Sequence, residues 1–97
     1  MALEAIMFDA ADNTAVALTD LPEGKTLKLT AGGETREVTL IEPITYQHKF
    51  STMPIGKGDK VLKYGQVIGE ATADIKSGEH VHIHNMAGLR IKAAGKA

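Results

Sequence analysis

Short apolar runs, each closed after a few residues by a turn-forming cluster, limit what this sequence can fold into. Apolar residues do not recur at helical spacing for long enough to build an amphipathic face. Where a period exists it is two, the period of a half-buried strand. Ala5 to Phe8 and Thr14 to Leu18 flank Asp9-Ala-Ala-Asp-Asn13, a turn composition. Leu27 and Leu29 alternate with polar residues through Thr26 to Thr30, and Val38 and Leu40 share one face of Arg36 to Ile41. The Ala31-Gly-Gly-Glu34 phrase between them predicts a β-hairpin. Gln47 to Met53 has no alternation and leaves room for one short helical turn before Pro54. Lys60 to Tyr64, Gln66 to Ile68 and His80 to His84 are strand-like pieces bounded by Gly58, Gly65, Gly69 and Gly78. A turn phrase also rhymes along the chain: Leu21-Pro-Glu-Gly24, Met53-Pro-Ile-Gly56 and Ile75-Lys-Ser-Gly78. Many short strands with such turns predict an all-β domain, folded over on itself or closed into a small barrel.

The length of 97 residues allows one domain with one modest core. The expected limits are a single domain over 1–97, with its core at about 5–86 and a C-terminal tail at 87–97. Aromatic residues make up 4%, so Val, Ile, Leu, Ala and Met must fill the interior. Eleven basic residues stand against 12 acidic ones, and no basic run exists to neutralise a phosphate backbone, which argues against nucleic acid. Without cysteine, disulfides, zinc–thiolate sites and a Cys nucleophile are excluded. The first ten residues lack the basic flank and apolar stretch of a signal peptide, and no segment approaches membrane-spanning length. A cytoplasmic location is the expectation.

The chemistry concentrates in Glu79-His80-Val81-His82-Ile83-His84-Asn85-Met86. On a strand, His80, His82 and His84 would share one side at roughly 7 Å spacing, with Val81 and Ile83 turned into the core. Imidazole ligates Fe, Mn or Zn and titrates near neutrality, so such a row suits a metal, an anionic substrate or proton transfer. The same pattern also fits a merely polar strand face in water. His48 lies beside Lys49, a base or donor next to a carboxylate-binding cation, although taken alone the two read better as an exposed loop pair. Asp12 and Asn13 are compatible with a simple turn pair. Lys63-Tyr64-Gly65 offers a cation, a phenol and a permissive glycine, or just a strand end. There is no phosphate-binding glycine loop, Ser-His-Asp order or EF-hand spacing.

Taken in order, four phrases resemble the SAF domain of the altronate and galactarate dehydratase family: Asp12-Asn13-Thr14-Ala15-Val16-Ala17-Leu18, then His48-Lys49-Phe50, then Gly58 to Gly69 with Lys63-Tyr64-Gly65, and last Ala73-Asp74-Ile75 with Gly78 to Asn85. The resemblance covers roughly residues 5–86. It departs at two places, since the family often carries His where this chain has Asp9 and Gly where it has Gln47. The first leaves Asp9 to substitute as a carboxylate or the local role is lost. The second suggests that the loop need not take a glycine-only conformation.

The resemblance implies a β-clip fold and a subunit of a sugar-acid lyase, a hydro-lyase or, in two-subunit relatives, a sulfolactate sulfo-lyase. It implies a large dehydratase subunit on a separate polypeptide, a heteromer acting on a small anionic sugar acid, and a divalent metal, iron or manganese. On that basis His48 and His84 are the catalytic candidates and His82 and His84 the metal ligands, with His80 ranked below them. Asp12, Asn13, Lys49, Lys63, Tyr64 and Asn85 are the candidates for substrate contact. Two other classes stay open. One is a lipoyl- or biotinyl-type carrier, which needs a lysine at an exposed hairpin tip. The other is a non-enzymatic SAF binding module related to type III antifreeze proteins.

Overall fold

The computed structural model describes residues 3–88, and over that span the chain is all-β with antiparallel pairing throughout. The strands are β1 (Ala5–Ile6), β2 (Thr14–Ala17), β3 (Thr26–Ala31), β4 (Glu34–Thr39), β5 (Lys49–Ser51), β6 (Lys60–Lys63), β7 (Gln66–Ala71), β8 (His80–Val81) and β9 (Met86–Gly88). They form a four-stranded sheet β1-β2-β5-β8, the hairpin β3-β4 and a three-stranded sheet β6-β7-β9. Of the expected C-terminal tail, Ala87 and Gly88 belong to β9, and residues 89–97 lie outside the described residues. Among the described residues no helix is long and apolar enough to cross a membrane.

The predicted hairpin forms, with Leu27 opposite Val38 and Leu29 opposite Arg36. Gly32 and Gly33 both take positive φ, the two-residue turn that matches strand twist. A second hairpin of this kind joins β6 to β7 through Tyr64 and Gly65, at φ 59° and 70°. Sequence reasoning marked the glycine there but not the turn, because tyrosine rarely occupies a left-handed position. No helical turn forms in Gln47 to Met53: Phe50 is fully buried, and pairing of Lys49–Ser51 with β2 makes this segment a strand.

One turn is used four times, in a register that differs from the rhyme heard in the sequence. The repeating unit is a bridge residue followed three positions later by a left-handed one: Leu21 and Gly24, Ile44 and Gln47, Ile55 and Gly58, Ile75 and Gly78. Met53-Pro-Ile-Gly56 is therefore out of step by two residues, and Ile44 to Gln47 is a copy carrying neither Pro nor Gly. The copies pair two by two, Leu21 with Ile44 and Ile55 with Ile75, and all four bridge side chains are at most 2% exposed. The left-handed residues donate their amides to Leu40, Ala17, Ala71 and Ser51 at 2.8–2.9 Å. Gln47 sits at φ 72° like its glycine counterparts, so the loop does adopt the glycine-type conformation.

Two apolar clusters hold the sheets. Ala5, Ala15, Ala17 and Phe50 on one face of the four-stranded sheet pack with Leu27, Leu29, Val38, Leu40 and Ile44. Val81, on the other face, packs with Ile55, Val61, Ala71 and Ile75. Arg36 staples the hairpin to the rest, donating to the carbonyls of Ala10 and Asp12 and to Thr52 Oγ1 at 3.2 Å.

Candidate functional site

His80 and Phe50 are directly opposite across the β5–β8 pair, and His48 lies two residues before Phe50. Opposed residues of an antiparallel pair share a face. The pairing therefore brings together two histidines 32 positions apart, with His48 Nδ1 and His80 Nε2 at 2.8 Å. His82 joins them: one ring nitrogen each of His48, His80 and His82 lies within 4.8 Å of the others. The ring centroids stand 4.9 Å (His48–His80), 5.3 Å (His48–His82) and 5.4 Å (His80–His82) apart, all stacked. His84 leans on His80 at 5.5 Å with its ring tilted by 41°, outside this trio. His80, which the sequence ranked below its neighbours, is the ring that touches all the others.

The histidines do not form a strand row. β8 ends at Val81 and the chain turns through 82–85, leaving Ile83 79% exposed rather than in the core. What shapes the turn is Asn85, which is 2% exposed. Its Nδ2 donates to the His80 carbonyl at 2.8 Å, and its Oδ1 accepts from the His82 amide at 2.9 Å. One side chain thus fixes the separation of two site histidines by gripping the backbone between them. Glu42, not anticipated from sequence, accepts the His80 amide at 3.0 Å. Burial first, then the charges of His48, His82 and His84, lowers the His80 pKa, while Glu42 opposes the shift. That balance favours the neutral imidazole, the form that ligates metals and accepts protons.

The remaining candidates lie elsewhere. Asp12 is fully buried, and its carboxylate accepts from Asp9, Tyr64 and Gly65 amides at 3.1, 3.0 and 2.8 Å. Asn13 reads the β6 backbone, donating to Lys60 O at 2.9 Å and accepting from Leu62 N at 2.8 Å. Both side chains are engaged in tying β2 to the second hairpin. Lys49 opposes Val16 on one side and Val81 on the other, so it stands on the face opposite to Phe50 and the histidines. Burial first, then the charge of Lys63, lowers its pKa; the Lys63 Nζ itself lies over the rings of Tyr64 and Phe8 at 5.2 and 5.8 Å. The structure therefore splits the predicted set in two. A groove of about 360 Å³ between β1 and β3 lies apart from the histidines, lined by Leu3, Ile6, Phe8, Leu29 and Ala31 among others. Its lining carries one titratable side chain, Lys28, which gives it little chemistry.

The family model for the altronate/galactarate dehydratase SAF domain matches residues 3–89. The chain is 45% identical over 83 residues to an altronate dehydratase of Escherichia coli, covering 86% of this chain and 16% of that protein. It is 40% identical over 74 residues to an altronate dehydratase of Bacillus subtilis, covering 76% of this chain and 14% of that one. It therefore spans about one-sixth or less of the length of these relatives. A (2R)-sulfolactate sulfo-lyase subunit alpha of Chromohalobacter salexigens is 28% identical over 89 residues, covering 89% of this chain and 95% of that subunit.

Proposed function

The chain belongs to the altronate/galactarate dehydratase SAF domain family, and from that premise we propose that it is the SAF component of a cytoplasmic, metal-dependent lyase that eliminates water from a sugar acid. The observation that carries this reading is the convergence of His48, His80 and His82 within 4.8 Å. Folded-over short strands suit the β-clip architecture that the family implies.

Eliminating water from a 2,3-dihydroxy acid requires removal of the proton α to the carboxylate and protonation of the departing β-hydroxyl. The His48–His80 contact at 2.8 Å is a proton-sharing pair, with one ring nitrogen donating to the other. Its members can take one proton and return another, since imidazole is effective on both sides of neutrality. With a metal ion in place of that shared proton, the same donor set would fit divalent iron or manganese: three imidazoles, one kept neutral by its surroundings, and His82 exposed so that coordination positions stay open. Held by these three residues, such an ion would supply Lewis acidity toward a substrate oxygen. Asn85 and Glu42 position the histidines through the backbone, and His84 stands at the rim.

A site this open needs a second wall, because enclosing a sugar acid takes a cleft that buries most of it. A large dehydratase polypeptide supplies that wall and the grip on the substrate carboxylate, since Lys49 and Lys63 face the other way. The separate-subunit arrangement follows from the name "subunit alpha" of the sulfolactate relatives, and the near-full coverage of one of them favours a second reading in which sulfite is the leaving group. Co-expression with the large dehydratase chain, followed by assays of water loss from altronate and sulfite release from sulfolactate with iron or manganese present, tests both. Turnover of one substrate, lost in His80→Gln and His82→Gln, is expected. Turnover of neither would favour the non-enzymatic SAF module, and fully active variants would remove the histidines from the mechanism. The carrier alternative finds little support, because the Ala31–Glu34 hairpin tip carries no lysine and Lys63, which flanks the two-residue turn of the second hairpin, has its ammonium folded over two rings rather than extended.

A further inference from the structure

The turn that follows β8 is held at both its ends. The His82 carbonyl accepts the amides of Asn85 and Met86 at 3.0 and 2.9 Å, and the Asn85 side chain grips His80 O and His82 N. Three consecutive exposed residues, His82, Ile83 and His84, ride on this frame, while Asn85 behind them is buried. Ile83 is 79% exposed, more than any other large apolar residue among those described. Its backbone is fixed and its side chain stands in water.

Two more exposed apolar residues stand in segments that build the histidine site. Ile41 precedes Glu42, which accepts the His80 amide, and its own amide donates to Gly78 O at 3.1 Å. Tyr46 lies two residues before His48, inside the turn closed by the His48 amide on Thr45 O at 2.9 Å. A single exposed apolar side chain is ordinary. Apolar residues gathered on the segments of one open polar site mark an interaction surface. Interfaces draw most of their energy from a few anchors seated in pockets, and an anchor on a fixed turn loses little entropy on docking. Most of the length of the altronate dehydratases lies outside the segment that this chain matches, which is polypeptide enough to cover such a face.

We propose that Ile83 is the anchor by which the large dehydratase polypeptide docks on this domain, entering a pocket of that chain shaped for an aliphatic side chain, with Ile41 and Tyr46 contributing from the neighbouring segments. The inference rests on the reading that such a polypeptide completes the histidine site, and it adds the surface that the polypeptide uses. Because Ile83 lies between His82 and His84, seating it brings both imidazoles to the boundary between the two chains. One turn then serves two ends: its apolar residue holds the partner and its flanking histidines face the space that the partner encloses.

The test uses the full chain co-expressed with the large dehydratase polypeptide. Dilution of the purified complex, followed by analytical ultracentrifugation, gives its dissociation constant. Ile83→Ser should weaken the complex about 10–100-fold, the transfer free energy of one aliphatic side chain. Ile83→Leu should keep most of the affinity. Leu3→Ser, at a residue 67% exposed but in the β1–β3 groove, should leave it unchanged. The exposed position of Ile83 makes its replacement harmless to the fold, so the thermal midpoint of the isolated chain should not move. His80→Gln should hold the partner and lose turnover, which separates docking from chemistry. A complex that depends on Ile83 yet turns over neither altronate nor sulfolactate would sink the lyase reading and leave the docking standing. Undiminished affinity in Ile83→Ser, equal weakening by Leu3→Ser, or no complex with the unaltered chain would overturn the proposal.

Discussion

Gln47 shows how a single residue can contradict its own conformation. A left-handed φ costs an L-residue about 1–2 kcal/mol, which glycine avoids, less the backbone entropy that glycine gives up on folding. Gly24, Gly58 and Gly78 stand at the equivalent places, and the turn needs that φ because its amide must reach Ala17 O. Gln47→Gly should therefore raise stability by about 1 kcal/mol in urea unfolding. A loss would show that the glutamine side chain holds the turn. The repeating unit itself was open to reading, as an apolar residue three positions before a turn-former, but the prolines at 22 and 54 drew the alignment into the wrong register. At His80 the depressed pKa has a sign that can be followed. The folded chain binds fewer protons than the unfolded one below the ordinary value of 6.5. Stability from this group is complete above that value and is lost as the pH falls through the folded pKa. Glu42→Gln removes the one opposing charge and should push the His80 titration lower still, as read from its ring proton shifts. An unchanged or higher midpoint would contradict the assigned balance.

At the scale of elements, alternation placed the strands where side chains face a core on one side only, as in β3 and β4. Of the strand expected over His80 to His84 only His80–Val81 forms, because the same polar–apolar alternation runs on through a turn. What ends β8 is the Asn85 amide, whose hold on His80 O and His82 N replaces the ladder hydrogen bonds that a strand would need. Nothing in the spacing of the histidines reveals that. Asn85→Ala leaves a partly buried backbone acceptor and donor without their partner, a cost of about 1 kcal/mol or more. It should also weaken manganese binding by about 10–100-fold, the usual effect of losing a group that orients ligands. Calorimetry on the folded variant separates the two, and unaltered metal affinity would confine Asn85 to a structural role.

For the molecule as a whole, the fold class and the family were legible because they rest on local phrases and their order. The division of the site was not, because it depends on which face of β5 each residue takes. His48 and Lys49 are neighbours in sequence, yet a strand sends neighbours to opposite sides, and the partners β2 and β8 extend that separation across the sheet. His48, by contrast, needed a residue 32 positions away to become more than a loop histidine. The central claim is that the working trio is His48, His80 and His82, with His84 at its rim. Steady-state turnover of the assembled enzyme, compared between His80→Gln and His84→Gln, bears on it most directly. The account predicts a fall of at least about 100-fold for His80→Gln, the scale of a lost acid–base group, and near-parental turnover for His84→Gln. Parental turnover in His80→Gln with collapse in His84→Gln would contradict it.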